Sequence, residues 1–512
     1  MAVDPVILHC SGRFSRPFRK LHAIVGDAVS AVHAMAGSIR LSGNTFSSAC
    51  AFAVALCLCL LAACAQQAPR PLLPAATLAA YEARRLDDAG LAERVAMRFP
   101  HLRGQWPPTR WNRVHLLAVA LDQHPELAVA RAELAAVEAR ARASGLREPI
   151  GLTAQVEYAR RERAPWLYGL GLEIAVGDGE RRRIERALAD QDTLAARARL
   201  EGRAWRIRAE LVQAISERIA AQASSALTVR LVELQRTRMA LATQRFDAGE
   251  DDALQALPAH EDLRDAEAAA DEARVQLSRT LDALAAALGL PRVAIARLDV
   301  QWDDWGTPPA LDEGDALRER EQALLARSDL AETIAEYAAS ELSLQREVAR
   351  QRPGFVLAPG YAWDHGIVKL PLGFGMTLPR LDGNRAAIDA ALAARELAAA
   401  RLMATQASIL AAIDAARVAE ALAAGQAQAA TQRVEATREH ARRQAVALQL
   451  GAVDRSETLA ADLLVLEAER DALHRRHQHE IARHALEDAL HAPLSGPETD
   501  LPRAATTAGD PR

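Results

Sequence analysis

The sequence predicts a mainly α-helical protein with a membrane β portion, built from two similar halves of one 512-residue chain. Three observations support this fold class. Long alanine-rich stretches contain almost no proline, which favours long helices. Two pairs of short segments alternate apolar and polar residues, which is typical of strands. Landmark glycines, prolines and aspartates recur 202 to 204 residues apart, which indicates an internal repeat.

The repeat depends on residues outside the alanine-rich stretches. The sequence HPELAVARAELA (124–135) matches RSDLAETIAEYA (327–338) at an offset of 203 residues. GLGLEIAVGDGERRRIERA (169–187) matches GFGMTLPRLDGNRAAIDAA (373–391) at an offset of 204. Chance similarity between alanine-rich helices is the alternative, and it does not account for the matched glycines and aspartates. Each half is therefore predicted to contain a helix, two strands, a very long helix, a turn and a long helix.

The predicted strands are short segments with a period of two residues. The first half contains 150–159 and 166–176, and the second half contains 354–363 and 367–378. Such runs of about 9–11 residues suit strands that cross a membrane at a tilt. Surface hairpins would alternate in the same way, but the recurrence in both halves favours membrane strands. Four strands are too few to close a barrel, and open edges in lipid are costly, so several chains must combine their strands.

The longest helix is predicted between Arg181 and Phe246, where there is no proline and Gly202 is the only glycine. At 1.5 Å per residue this stretch would span about 100 Å. A rod of that length cannot bury its apolar stripe inside a globule, so it must lie beside other long rods. Gly249 and Gly451, 202 residues apart, are predicted to mark the two turns at which the long helices reverse.

Acidic residues flank both turns, in RFDAGEDD and in LQLGAVDRSE. In a ring of protomers these carboxylates would repeat around the axis, where they would attract cations. The alternative, compatible with the first, is that they cap the N-termini of the returning helices. Glu457 is expected about two turns into its helix, beyond the first-turn positions at which the helix dipole acts. The candidate aperture residues are Glu457, Asp454, Asp252, Asp251 and Glu250.

The ordered set of features resembles the TolC-like outer-membrane efflux proteins over about residues 111–490. The junctions VGDGERRRIERA and LPRLDGNRAAIDAA and the two acidic turns carry the resemblance. It implies a homotrimer whose twelve strands form a β-barrel in the cell outer membrane, above an α-helical periplasmic tunnel. It also implies a passive conduit for small molecules or metal ions, with a periplasmic adaptor and an inner-membrane pump of the resistance-nodulation-division type as partners. The junction sequences favour the heavy-metal branch.

The family pattern places acidic residues six and nine positions after the second-half glycine. This sequence has Glu457 and Ala460 there, so it lacks the second acidic position. The equivalent position in the first half is Gln255. The resemblance therefore implies an aperture lined by Glu457 that is wider than usual, or that is held closed differently.

The N-terminal region is predicted to be an export signal. Residues 1–64, with translation starting at Met1 or Met35, end in LAAC after an apolar run, which resembles the lipobox of bacterial lipoproteins. Cys64 is therefore the predicted lipid anchor, and a membrane-spanning helix is the alternative for the apolar run. The other predicted boundaries are 65–110 for an N-terminal periplasmic segment, 111–290 for the first repeat, 291–320 for a linker, 321–495 for the second repeat and 496–512 for a flexible tail.

The sequence disfavours several other functions. A net charge of −5 suggests no nucleic-acid partner. The lack of a phosphate loop, of H-E-x-x-H and of G-x-S-x-G argues against an enzyme or a cofactor. His474 and His477 could share a metal ion, but His477, His484 and His491 are too widely spaced for one ion, so no metal site is predicted. The alternative function is a lipidated periplasmic adaptor (membrane fusion) subunit of an efflux system, which would have a single helical hairpin.

Overall fold

The computed structural model describes residues 70–306, 308–309, 316–378 and 382–499. The predicted export signal, including Cys64, lies outside these residues. Contacts within the chain divide it into the units 1–74 and 75–512, and the architecture below is that of the second unit.

The described helices and strands follow the predicted order. Before the first repeat lie α1 (Pro74–Glu82) and α2 (Ala89–Arg98), followed by a 3-10 turn (Pro100–Leu102). The first repeat contains α3 (Arg113–Gln123), α4 (Pro125–Ala143), β1 (Gly151–Tyr158), β2 (Trp166–Val176), α5 (Gly179–Asp247) and α6 (Ala253–Leu288). The short helix α7 (Arg292–Ile295) lies in the predicted linker. The second repeat contains α8 (Ala316–Ala326), α9 (Ser328–Ala349), β3 (Gly354–Asp364), β4 (Ile367–Lys369), β5 (Leu372–Thr377), α10 (Arg385–Gln449) and α11 (Arg455–Leu490).

The two repeats correspond helix by helix, which confirms the predicted internal repeat. Helices α3 and α8 both have 11 residues, and α6 and α11 both have 36. Helix α8, the counterpart of α3, begins at Ala316, before the residue 321 at which the second repeat is predicted to start. Helix α6 ends at Leu288, and Gly289 follows in the left-handed conformation with a φ of 66°. This is the helix end that the sequence Gly289-Leu290-Pro291 predicts.

The strands form one antiparallel sheet in the order β1-β2-β3, with β4 and β5 both paired to the outer side of β3. The predicted fourth strand is thus present but broken in two. The break falls at Pro371, which has no N–H to donate to a neighbouring strand. Its carbonyl still accepts a hydrogen bond of 2.8 Å from the Gly360 N–H. Among the described residues, the outer edges of β1 and of β4–β5 pair with no strand.

The sheet has one apolar face and one face of small or polar residues. The register places Leu152 opposite Leu172 on the first face, and Thr153 opposite Gly171 on the second. Most side chains of the apolar face are exposed. The apolar face carries Leu152, Val156, Tyr158, Trp166, Tyr168, Leu170, Leu172, Ile174, Val176, Phe355, Leu357, Tyr361, Trp363, Val368, Leu372, Phe374 and Met376.

The main hydrophobic core lies around α3, where the middle of α5 and the end of α6 meet the N-terminal segment. The apolar stripe of α5 is fully buried there, at Leu211 and Ile215. Further along α5 the same stripe is only half-buried, at Leu231 and Leu241. The distal part of the long helices therefore leaves apolar surface for additional helices to cover. In the described part of the chain, no helix has both the length and the apolar character needed to cross a membrane.

The C-terminal segment departs from the predicted flexible tail. Residues 496–499 follow α11, and Glu498 is buried with its carboxylate against Arg208 of α5. Arg113 of α3 donates a hydrogen bond of 2.7 Å to the Ser495 carbonyl. These buried contacts attach Ser495 and Glu498 to α3 and α5 of the first repeat.

Candidate functional site

The turn between α5 and α6 closes with a left-handed glycine. Gly249 has a φ of 76°, and its N–H donates to the Phe246 carbonyl at 3.0 Å. The Glu250 N–H donates to the Arg245 carbonyl at 2.9 Å, which completes a Schellman-type helix end. A Cβ at Gly249 would meet no atom within 4 Å, so the backbone conformation, and not space, requires glycine here.

The turn between α10 and α11 repeats this geometry. Gly451 has a φ of 72°, and its N–H donates to the Leu448 carbonyl at 3.0 Å. The Ala452 N–H donates to the Ala447 carbonyl at 2.9 Å. The two predicted turn glycines therefore perform the same conformational task in both hairpins.

The two aspartates that follow the glycines are N-caps. Asp252 accepts a hydrogen bond of 2.8 Å from the Gln255 N–H, and Asp454 accepts one of 3.0 Å from the Glu457 N–H. The Gln255 side chain also accepts from the Asp252 N–H at 2.8 Å, which forms a complete capping box. A hydrogen bond from the Ser456 hydroxyl, together with that from Glu457, holds the pKa of Asp454 below its ordinary value.

Glu457 does not lie where the sequence analysis expected it. Helix α11 begins at Arg455, so Glu457 is the third helical residue, within the first turn. The expectation of a position two turns into the helix was wrong, because Asp454 is the cap and the residues after Gly451 are not yet helical. The Glu457 carboxylate is exposed, and within the described residues it makes no hydrogen bond or ion pair. It therefore differs from its counterpart Gln255, whose side chain is engaged in the capping box.

Arg245 connects the two turns. Its Nε lies 3.1 Å from Asp251 Oδ2 and 3.7 Å from Glu250 Oε2. Its Nη1 lies 3.8 Å from Asp454 Oδ2 in the other hairpin. Arg245 carries no motif by which the sequence would have predicted this role; the one signal is that its counterpart in the second repeat is the uncharged Ala447. Three carboxylates of the candidate aperture thus converge on one arginine, and the ends of both hairpins lie close together.

Residues 116–290 match the family model described as outer membrane efflux protein. The chain carries an outer membrane efflux protein domain. No curated protein sequence matches the chain. The efflux domain matches the first predicted repeat, and the predicted family resemblance is confirmed.

Solved structures of outer-membrane proteins have a fold similar to that of this chain. The outer-membrane channel OprN matches with a TM-score of 0.63 and 19% identity, over 84% of this chain and 98% of that one. The outer membrane protein VceC from Vibrio cholerae matches at 0.61 and 18%, over 75% and 97%. CusC matches at 0.62 and 15%, over 74% and 92%. These similarities establish the fold, and they do not single out the predicted heavy-metal branch, because the three TM-scores are nearly equal.

Three histidines towards the end of α11 and just after it pack against tryptophans. The ring centroids are 6.4 Å apart for His477 and Trp305, 5.5 Å for His484 and Trp302, and 4.3 Å for His491 and Trp205. Burial, with a smaller effect of Arg327, lowers the pKa of His491 to about 4. In the part of the chain that the structure describes, no group of three or more His, Cys, Asp or Glu residues is placed to hold a metal ion.

A buried ionic cluster joins the two repeats of the chain. Arg208 Nη2 lies 2.9 Å from Glu487 Oε2, and Arg208 Nε lies 2.6 Å from Glu498 Oε2. Burial alone would lower the pKa of Arg208, but the two carboxylates raise it above its ordinary value. Burial alone would raise the pKa of Glu487, but His484 and Arg208 lower it to about 2. This cluster could not be predicted from the sequence, because its members lie far apart along the chain.

Proposed function

We propose that the protein is the outer-membrane channel of a tripartite efflux pump, a passive conduit from the periplasm to the exterior. The observation that carries this proposal is the sheet, whose apolar face is exposed and whose two outer edges have no strand partner among the described residues. Such a sheet is suited to lipid once its edges are closed by other strands. The periplasmic adaptor is disfavoured, because an adaptor would have one helical hairpin, whereas this chain has two, each with its own strands.

The dimensions of the sheet support membrane insertion. Strands β2 and β3 each have 11 residues. At about 3.3 Å per residue and a tilt near 40°, such a strand rises about 28 Å, close to the apolar band of about 25 Å in outer-membrane barrels. Each chain contributes the equivalent of four strands, and a homotrimer would supply twelve. The half-buried distal stripe of α5 would then be covered by neighbouring helices in the tunnel.

The acidic turns are the proposed periplasmic aperture, at the ends of the helices remote from the sheet. Glu457 would supply one free carboxylate per protomer to a ring around the axis, and such a ring favours cations. Arg245 would hold the two hairpins of a protomer together through Asp251 and Asp454. Leu254 and Leu450 are 81% and 79% exposed beside the turns, which supports a docking surface there for a periplasmic adaptor.

Single cysteines at successive positions of β2 test the membrane strands. Cysteines at Leu170, Leu172 and Ile174 should react only with lipid-soluble reagents, because these residues lie on the apolar face. Cysteines at Gly171 and Glu173 should react with water-soluble reagents. Labelling that does not alternate would exclude a membrane barrel built from this sheet.

Substitution of Glu457 by glutamine tests the aperture. In planar bilayers the wild-type channel should favour cations, and the variant should lose part of that selectivity, because each protomer loses one charge. Glutamine at this position should also cap α11 as Gln255 caps α6, so the hairpin should remain stable. The reciprocal variant Gln255→Glu adds a charge at the equivalent position and should increase selectivity. Unchanged selectivity in both variants would remove Glu457 from the aperture.

A further inference from the structure

The loop between β1 and β2 carries an unusual excess of unpaired positive charge. Its sequence, ARRERAP (159–165), contains three arginines and one glutamate. Arg160, Arg161 and Arg163 are exposed, and within the described residues none of them has a hydrogen bond or ion pair of its side chain. Four arginines at the opposite end of the sheet are paired instead, in Arg181–Glu148, Arg182–Asp178, Arg350–Glu347 and Arg352–Glu180.

The backbone of this loop is held in place at both ends. The Ala159 N–H donates to the Pro165 carbonyl at 2.7 Å, which closes the loop on itself. The imidazole Nδ1 of His365, at the tip of the neighbouring hairpin, lies 2.7 Å from the Ala164 carbonyl. The arginine side chains therefore extend from a fixed loop, which reduces the entropic cost of binding a ligand.

Aromatic rings lie directly below the loop. Tyr158 and Trp166, the residues that flank it, have ring centroids 4.9 Å apart. Tyr168 and Trp363 stack beside them with centroids 6.2 Å apart and planes inclined by 12°. All four side chains belong to the apolar face of the sheet. Aromatic girdles of membrane barrels mark the boundary between the apolar band and the headgroups. The arginines, beyond the rings, are thus at the level of the headgroups.

We propose that Arg160, Arg161 and Arg163 bind phosphate groups of the lipid at the outer surface of the membrane; this inference rests on the proposed function. Guanidinium groups match phosphate with paired hydrogen bonds and are weakly hydrated, so they suit this ligand better than lysine. Within the loop the only carboxylate is Glu162, and Asp364 on the neighbouring hairpin is already paired with Lys369, so the loop keeps an excess of two positive charges for an external anion. The occupant is a phosphorylated glycolipid of the outer leaflet, held against the apolar face by its acyl chains.

The test measures binding of diphosphorylated lipid A to the detergent-solubilised protein by native mass spectrometry. The triple variant Arg160→Gln, Arg161→Gln, Arg163→Gln should bind about 100-fold more weakly, since each of the three arginines near an anionic surface contributes a factor of about five. The matched control replaces three exposed arginines of the hairpin helices, Arg264, Arg279 and Arg443, with glutamine. This control loses the same charge and should bind lipid A as the wild type does. Equal binding by both triple variants overturns the proposal.

Two further ligands identify what the arginines recognise. Dephosphorylated lipid A should bind the wild type as weakly as lipid A binds the triple variant, and equal binding of both lipids to the wild type overturns the phosphate assignment. Inorganic phosphate should bind far more weakly than lipid A, and comparable affinity overturns the assignment to a lipid surface. The triple lysine variant keeps the charge of the loop and should lose only part of the lipid A binding. It allows the same measurement if the triple glutamine variant does not fold.

Conductance in phosphatidylcholine bilayers separates this inference from the proposed function. The wild type and the triple glutamine variant should form the same channel there, because channel formation in this lipid does not depend on the arginine loop. A wild type without conductance would contradict the proposed channel, while normal conductance with unaltered lipid A binding by the triple variant would contradict only the lipid site.

Discussion

Replacement of Arg208 by methionine should destabilise the protein strongly. Methionine keeps much of the volume of the side chain but removes the guanidinium that lies 2.9 Å from Glu487 and 2.6 Å from Glu498. The side chains of both glutamates are only 1% exposed, so the variant would contain two buried charges without their main counter-ion. Removal of one partner from a buried ion pair typically costs about 3–5 kcal/mol.

The pKa of Glu487 gives an independent magnitude. In the folded protein it is lowered from 4.5 to about 2. At 1.36 kcal/mol per pH unit, this shift corresponds to about 3 kcal/mol of stability at neutral pH, shared between Arg208 and His484. Because the folded-state pKa is the lower one, this contribution is complete above pH 4.5 and is lost as the pH falls from 4.5 towards 2. The typical cost of removing one partner of a buried ion pair and the pKa shift of Glu487 thus correspond to similar free energies of unfolding.

The matched control is Arg230→Met. Arg230 also lies on α5 and also pairs with a glutamate of α11, with Nη1 2.6 Å from Glu469 Oε2. Its side chain is 56% exposed, however, and an exposed pair contributes about 0–1 kcal/mol. Urea unfolding, followed by circular dichroism at fixed protein and detergent concentration, should give a much lower midpoint for Arg208→Met than for Arg230→Met.

The dependence on pH distinguishes an electrostatic cost from a packing defect. Without Arg208, burial should raise the pKa of the two carboxylates, so protonation near pH 5 should recover part of the lost stability. A packing defect would not respond in this way. The reasoning is refuted if both methionine variants unfold at the same midpoint, or if the deficit of Arg208→Met is equal at pH 7.5 and pH 5.

Three other predictions concern the turns, the last helix and the N-terminus. Gly249→Ala and Gly451→Ala should each cost about 1–2 kcal/mol of local stability, because alanine is strained at a φ of 76° or 72°. Faster amide hydrogen exchange in the helical hairpin would confirm this loss of stability, and unchanged exchange would contradict it. Because the pKa of His491 is lowered from 6.5 to about 4, the free energy of unfolding should fall by up to about 3 kcal/mol as the pH drops from 6.5 to 4. The variant His491→Asn should remove that part of the pH dependence of unfolding. An unaltered pH profile would exclude protonation of His491 as its cause. Cys64→Ala should abolish labelling by a fatty-acid analogue, and continued labelling would refute lipidation at that residue.

The sequence was most informative where structure depends on local patterns. The prediction of β2 was correct at both ends, because alternation and flanking residues define a strand over a few positions. Helix α5 extends only slightly beyond its predicted range, because Asp178 precedes it and Gly249 follows it. The break at Pro371 was overlooked, although the missing N–H of proline is itself a local signal.

Contacts between distant residues could not be predicted in this way. Arg245 and Asp454 belong to different hairpins, and only their packing brings their side chains together. Glu498 follows the last helix in a segment whose composition suggests a tail, but the buried Arg208 fixes it. The position of Glu457 was misjudged for a different reason, since the distance was counted from Gly451 and not from the cap at Asp454.

The unlike edges of the sheet have a consequence for how copies can assemble. One edge is the continuous strand β1, and the other is β4–β5, interrupted at Pro371. Antiparallel pairing of two β1 edges would relate two copies by a twofold axis and place their helices on opposite sides of the membrane. Pairing β1 of one copy with β4–β5 of the next is also antiparallel, because the strands between them alternate in direction, and it keeps every helix on the same side. The sheet therefore favours head-to-tail closure into a ring over a twofold dimer.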